Sequence, residues 1–291
     1  MNYRIHHLTE YHYAEPMTQS YNLAHMTPRH LPGQRLLHTT IEINPQPNDF
    51  RECTDYFGNP AAYFSVQTPH SRLAVQATSE VEVDDAPRAE LDLFAPVTVG
   101  QARLQPQPLE VSEMCLDSPM VQTSAALANY AATELAPERP LIEAVGGLVA
   151  RIYQDFAYQP GVTTVSTPLH EVFAQRRGVC QDFAHLAIGC LRSHGLAARY
   201  VSGYLETQPP PGEERRVGVD ASHAWLAVYV PPVGWIDFDP TNNQRASRGY
   251  ITTAWGRDYG DVTPLKGVVF GHADTQQLEV AVHVERLEAT S

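Results

Sequence analysis

Apolar and polar residues alternate with period two over the first hundred residues. Tyr3-Arg4-Ile5-His6-His7-Leu8, Thr39-Thr40-Ile41-Glu42-Ile43-Asn44, Ala61-Ala62-Tyr63-Phe64-Ser65-Val66 and the run from Leu73 to Val83 each read as a strand with one buried face. The run Asp55-Tyr56-Phe57-Gly58-Asn59-Pro60 has turn composition and is placed to join two of them as a hairpin. No helix-period segment competes as far as Leu104, so residues 1–105 are expected to form an antiparallel β-sandwich domain. Gln105-Pro106-Gln107-Pro108 then marks a linker to a second domain over 106–291.

Beyond the linker the period changes. Met120 to Leu135 is alanine-rich and helix-prone. Leu141, Val145, Leu148, Val149, Ile152 and Phe156 trace one helical face, ended by Pro160-Gly161. Thr167-Pro168 reads as an N-cap and first-turn proline for a short helix running to about Arg176. Strands follow at Arg199–Leu205, His223–Val230, Trp235–Phe238 and Leu278–Leu287, and the Pro-rich polar stretch Glu206 to Val219 reads as a surface loop.

The stretch from Arg176 to Gly195 organises the rest. Phe183, Leu186, Ala187, Cys190 and Leu191 recur at helical spacing, Ala184 and Ile188 widen the face, and Gly195 sits where a left-handed residue would close the helix. A helix apolar on most sides is a buried one. Cys180 therefore falls at the N-terminus of a central helix, after the breaker Gly178. There the free N–H groups and the macrodipole favour an anion. A thiol in such a place can have its pKa lowered to about 3.5–7.5, and the same N–H groups can hold an oxyanion.

Composition narrows the function classes. With 43% apolar and 18% charged residues in 291, the chain can bury a full core. A formal charge of −13 without a basic stripe argues against nucleic-acid or anionic-membrane partners. The first residues lack the apolar core of a signal peptide, no run is long enough to span a membrane, and four scattered cysteines do not form a disulfide framework. These features point to the cytoplasm. The 13 histidines show no metal-ligand spacing, so no metal is expected.

A cysteine nucleophile needs a base, and the base needs an orienting acceptor. Ser222-His223-Ala224-Trp225 opens one strand and Trp235-Ile236-Asp237-Phe238-Asp239 closes the next. If odd positions pair with odd, His223 and Asp239 share a face within diagonal reach, and a Cys180 helix packed on that face completes the set. This requires an odd number of loop residues between the strands, or a bulge. His185 is turned too far round the helix to serve as the base, His194 suits a dipole-capping role, and Asp237 is expected on the opposite face from Asp239, in solvent. Asp182 suits the helix dipole, though its charge would oppose a nearby thiolate. Trp225 and Trp235 are expected to pack, with either able to wall a site.

Gly178-Val179-Cys180-Gln181-Asp182-Phe183-Ala184-His185-Leu186, Ala198-Arg199-Tyr200-Val201-Ser202-Gly203-Tyr204-Leu205, Ser222-His223-Ala224-Trp225, Gly234-Trp235 and Asp239-Pro240-Thr241 together resemble the core of the bacterial transglutaminase-like proteins, often described as candidate cysteine proteases. Gly256-Arg257-Asp258-Tyr259-Gly260-Asp261-Val262 extends the likeness, and the amino-terminal β region around Asp55-Tyr56-Phe57-Gly58-Asn59 carries it more loosely. The resemblance implies an α+β, papain-like catalytic domain behind the β-sandwich. It also implies a Cys180, His223, Asp239 triad acting on a peptide or protein amide without cofactor. Trp225 and Tyr204 are the candidate substrate-binding residues. Water as acceptor makes an amidase or peptidase and a lysine amine makes a transglutaminase; hydrolysis needs fewer special features. A non-catalytic binding or scaffold protein on the same fold is the remaining alternative.

Overall fold

The amino-terminal alternation builds two antiparallel sheets in a computed structural model that describes residues 1–84, 97–206, 222–247, 249–271 and 276–287. The strands are β1 (Asn2–Met17), β2 (Gln19–Ala24), β3 (Gln34–Asn44), β4 (Asp49–Thr54), β5 (Pro60–Val66) and β6 (His70–Val83). Met17, Leu73 and Val75 from one sheet meet Ala24, Phe64 and Val66 from the other in a shared core, which makes a β-sandwich. The expected turn joins β4 to β5. Asp55 Oδ1 accepts the N–H groups of Phe57 and Asn59, each at 2.8 Å, and so fixes the turn from within.

The helical half follows the sequence pattern with three changes. The Leu141–Asp155 helix buries Leu141, Val145, Leu148, Val149 and Ile152 as their spacing predicts. The alanine-rich stretch is helical only over Ala125–Ala131, starting where the Ser124 hydroxyl accepts the Leu127 N–H at 3.2 Å; Val121 before it is tied into a bridge with Ser118. The short helix runs Leu169–Gln175 with Pro168 itself at the N-cap, because the Thr167 hydroxyl turns back to the Thr164 N–H at 2.8 Å. Val99–Leu104, inside the expected β region, is a helix. Thr98 and Gln101 cap it reciprocally, at 3.2 and 2.9 Å, and this local pairing outweighs the surrounding alternation.

Two short strands, β7 (Ala157–Tyr158) and β8 (Arg177–Gly178), pair in parallel just before the Cys180–Ser193 helix. That helix closes as its sequence predicts. Gly195 has φ 72°, its N–H bonds the Arg192 carbonyl at 2.9 Å, and the Leu196 N–H bonds the Leu191 carbonyl at 3.0 Å. The helix lies on a five-stranded antiparallel sheet of β9 (Ala198–Leu205), β10 (His223–Val230), β11 (Gly234–Asp239), β12 (Gln244–Arg245) and β13 (Tyr250–Gly256), in the order β12-β11-β10-β9-β13. Phe183, Leu186, Ala187, Cys190 and Leu191 pack there against Tyr200, Ala224, Leu226, Val228 and Phe238.

The chain then returns to its beginning. β14 (Leu265–Phe270) pairs with β2, and β15 (Gln276–Leu287) pairs with β1 along Asn2 to Tyr13. The sheets are therefore β14-β2-β5-β4 and β15-β1-β6-β3, four strands each. The sandwich expected over 1–105 is completed by residues from the far end of the sequence; the alternation of Leu278–Leu287 signals a strand but not its partner. Tyr3, Ile5, Val81 and Val284 also join Tyr204 and Ile251 of the five-stranded sheet in one buried cluster, so the two halves share a core. No described helix is long and apolar enough to cross a membrane. The surface loop expected over Glu206 to Val219 lies, apart from Glu206, outside the described residues.

Candidate active site

Three residues before Asp182, the chain enters the central helix through Val179. The Asp182 carboxylate Oδ2 reaches back to accept the Val179 N–H at 2.8 Å and the Thr163 hydroxyl at 2.7 Å. A Cβ at Gly178 would lie 2.5 Å from that oxygen, so this entry requires glycine. Burial raises the Asp182 pKa, against the opposing pull of Val179 and Thr163. Cys180 follows at the first helical position and is half-buried. Its N–H belongs to the first turn, where no intrahelical carbonyl is available.

His223 and Asp239 meet by register. β10 and β11 pair Leu226 with Phe238, Ala227 with Asp237 and Tyr229 with Trp235, odd with odd, across a three-residue connection. His223 and Asp239 are thus diagonal neighbours, and the His223 Nε2–Asp239 Oδ2 distance is 2.8 Å with both side chains fully buried. Asp239 Oδ1 accepts the Thr241 N–H at 2.8 Å, while Oδ2 also accepts Asn242 Nδ2 and the Tyr250 hydroxyl, each at 2.7 Å. The other imidazole nitrogen, Nδ1, is buried without a hydrogen-bond partner among the described residues, and Cys180 is near enough to act on the charge of the ring. Burial works against the imidazolium, but Asp239 and then Cys180 outweigh it and raise the His223 pKa. Burial likewise disfavours the Asp239 carboxylate, and His223, Asn242 and Tyr250 more than offset it, so the Asp239 pKa is lowered. The result is a buried ion pair next to the Cys180 sulfur.

Two expectations about faces are corrected. The Cys180 helix packs on the even-numbered face with Ala224, Leu226 and Val228, whereas His223 stacks on Trp225, which lies in the odd-face cluster with Ala227 and Tyr250. The thiol therefore comes to the imidazole from the helix tip at the start of β10, not from a helix laid over His223. Asp237 shares the face of Asp239, as two residues along a strand must. It points into a cavity beside Arg199 and Trp235 rather than into open solvent.

The remaining candidates fall into structural places. His185 Nε2 accepts the Tyr259 N–H at 3.1 Å, and burial pulls its pKa to about 4 despite Asp258 nearby. His194 caps a different helix from its own: Nε2 bonds the Ala128 carbonyl at 2.9 Å, so the dipole-capping role is replaced by a tie between helices. Trp225 is fully buried, stacked behind His223 and against Tyr250. The Tyr204 hydroxyl donates to the Met26 carbonyl at 3.2 Å and lies 2.8 Å from His7 Nδ1, in the seam between the sandwich and the five-stranded sheet. Trp225 stands on the face packed away from the helix, whereas Tyr204 shares the face of Tyr200 on β9 and is taken up by the sandwich residues Tyr3 and Ile5. Sequence reasoning missed Asn242 and Tyr250. Asp239-Pro240-Thr241-Asn242 has the composition of an Asx turn and could have pointed to Asn242; Tyr250 comes from another strand and leaves no local signal.

Comparison with known proteins agrees with this fold. Residues 3–82 match the bacterial transglutaminase-like N-terminal region and residues 128–240 match the transglutaminase-like superfamily. An uncharacterized protein of Mycobacterium tuberculosis is 42% identical over 293 residues, covering 98% of this chain and 93% of the relative. One from Mycobacterium leprae is 34% identical with 98% of each covered. The solved structure of a candidate cysteine protease from Cytophaga hutchinsonii superposes with a TM-score of 0.74 at 23% identity, covering 100% of this chain and 92% of that one, which shows the shared fold. A protein-glutamine gamma-glutamyltransferase of Pseudomonas aeruginosa is 32% identical over 102 residues, 32% of this chain and 15% of that protein. The chain belongs to the transglutaminase-like superfamily and carries the bacterial N-terminal region found with it.

Proposed function

We propose that the protein is a thiol-dependent acyl-transfer enzyme that hydrolyses amide bonds in peptides or proteins, with Cys180 as nucleophile, His223 as acid and base, and Asp239 as the group that holds the imidazole. The observation that carries this reading is the buried His223–Asp239 pair, whose second ring nitrogen is left for a cysteine at a helix N-terminus. With its proton already on His223, the Cys180 sulfur attacks the amide carbon as a thiolate. The oxyanion takes the Cys180 N–H and the field of the helix N-terminus. His223 then protonates the leaving amine, a thioester remains, and His223 takes a proton from the water that cleaves it. No step requires a metal or organic cofactor.

The Pseudomonas aeruginosa relative supports a second reading, in which a lysine amine takes the place of water. Water at about 55 M wins unless the site positions the amine with high effective molarity, and hydrolysis needs no such arrangement. All four cysteines are unpaired, which supports a reducing, cytoplasmic setting. Incubation with a peptide-amide library in the presence of a lysine analogue, read by mass spectrometry, tests the assignment. Free acid that disappears in Cys180→Ala is expected. Amine adduct as the main product favours the second reading, and turnover retained in Cys180→Ala removes both.

A further inference from the structure

On the odd-numbered face of the five-stranded sheet a cavity of about 470 Å³ opens at the level of Ala227, whose strand neighbours are Arg199 and Asp237. Its walls include Trp235, Trp255, Val201 and Leu31, with Arg199 and Asp237 among them. The size suits a small organic molecule.

Arg199 is the anomaly in this cavity. It is 9% exposed, and its guanidinium carbon lies 3.6 Å from the Trp255 ring centroid and 4.3 Å from that of Trp235. Stacking of this kind covers the flat faces of the cation but takes none of its N–H groups. Nε is buried without a partner, and no described residue accepts a hydrogen bond from the guanidinium. Elsewhere the chain buries arginine differently. Arg192, 3% exposed, donates to the carbonyls of Met114, Ala198 and Arg257 and to the Ser118 hydroxyl, at 2.7 to 3.2 Å. Buried cations without acceptors are uncommon because the desolvation goes uncompensated. Burial pulls the Arg199 pKa down to about 9, with Asp237 offsetting only part of it.

We propose that this cavity binds a small monocarboxylate, its carboxylate paired edge-on with Arg199 and its apolar body against Trp235 and Val201. A planar carboxylate matches the N–H edge that the indoles leave free. Arg245 and Asp237 also line the cavity and offset each other, so one net positive charge is left for the ligand, which suits a monoanion over a phosphate-like dianion.

Two of the three tryptophans line the cavity, so intrinsic fluorescence of the full-length protein reports on it directly. Titration with 3-phenylpropionate is expected to give a saturable change at millimolar concentration or below. 3-Phenylpropionamide, which has the same shape without the charge, binds about tenfold more weakly or worse. Arg199→Met, with unchanged far-ultraviolet circular dichroism, removes the preference. Asp237→Asn keeps the cation and is expected to tighten 3-phenylpropionate binding several-fold, a gain that a purely structural role for Arg199 does not produce. Equal affinity for acid and amide, no saturable response, tighter binding of phenylphosphonate, or no gain in Asp237→Asn would overturn the proposal.

Discussion

The Tyr250 hydroxyl stands between two partners, donating to Asp239 Oδ2 at 2.7 Å and accepting from Gln244 Nε2 at 2.7 Å. Tyr250 comes from β13, at the far edge of the sheet from β11, so it ties the carboxylate to a strand that shares no ladder with it. Tyr250→Phe keeps the ring against Trp225 and removes only the donor. A hydrogen bond to a buried charged group is worth about 1.5–3 kcal/mol, so a fall of several degrees in melting temperature is expected. Alkylation of Cys180 by iodoacetamide should slow as well, because a looser Asp239 holds His223 less well. Unchanged alkylation beside a lowered melting temperature would confine Tyr250 to packing.

Gly178→Ala tests the entry to the central helix. The added Cβ falls 2.5 Å from Asp182 Oδ2 and 2.8 Å from Asp182 Cβ, both fixed by the helix. Asp182 must give up the Val179 N–H, and loss of such a cap costs about 0.5–2 kcal/mol on top of the steric displacement of Cys180. Gly146→Ala, in the Leu141–Asp155 helix with no atom within 4 Å of the new methyl, is the control. It is expected to stabilise by about 0.4–1 kcal/mol. Thermal unfolding and the Cys180 alkylation rate measure both; a Gly178→Ala protein that labels like wild type would show that the cap does not position the thiol.

The central helix was legible because everything that defines it is local: Gly178, the apolar spacing from Phe183 to Leu191, and Gly195. The diagonal placing of His223 and Asp239 was legible too, since period two and a three-residue connection fix it. What escaped depends on partners far apart in sequence. Alternation marks Leu278–Leu287 as a strand without saying that it pairs with β1, and the pattern of Arg199 to Leu205 does not say that Tyr204 will be sealed against His7. The side of the sheet taken by the Cys180 helix is likewise a tertiary choice, with Ala224, Leu226 and Val228 packed against it.

The His223–Asp239 pair predicts a pH dependence with a definite sign. The folded His223 pKa is raised to about 10, above the ordinary value near 6.5, so its contribution to stability is complete below about pH 6.5 and lost as pH rises through about 10. Asp239 is lowered, so its contribution is present above the ordinary carboxylate value near 3.9 and lost only as pH falls through its folded pKa. The stability gap between wild type and Asp239→Asn should therefore be widest between about pH 4 and 6.5 and shrink toward pH 10. Chemical denaturation across that range measures it. A gap that stays flat up to pH 10 would mean that the imidazole is not held as a cation by its neighbours.

The return of the chain end to the sandwich makes fragment 1–105 a poor folding unit. In it β1 loses its pairing with β15 from Asn2 to Tyr13, and β2 loses its pairing with β14 from Gln19 to Ala24. Each strand then becomes the edge of a three-stranded sheet, with its ladder groups exposed to other copies. Leu265, Val282 and Val284 leave the buried clusters, and Tyr3 and Ile5 lose Tyr204 and Ile251 on their other side. The isolated fragment is expected to aggregate or remain unfolded. Joining residues 263–287 to it through a flexible linker should restore both missing edge strands and improve its solubility and amide protection, leaving only the face toward Tyr204 uncovered. Hydrogen exchange on the two fragments decides the matter: slow exchange in β1 and β2 of 1–105 alone would show that the sandwich does not need its C-terminal strands.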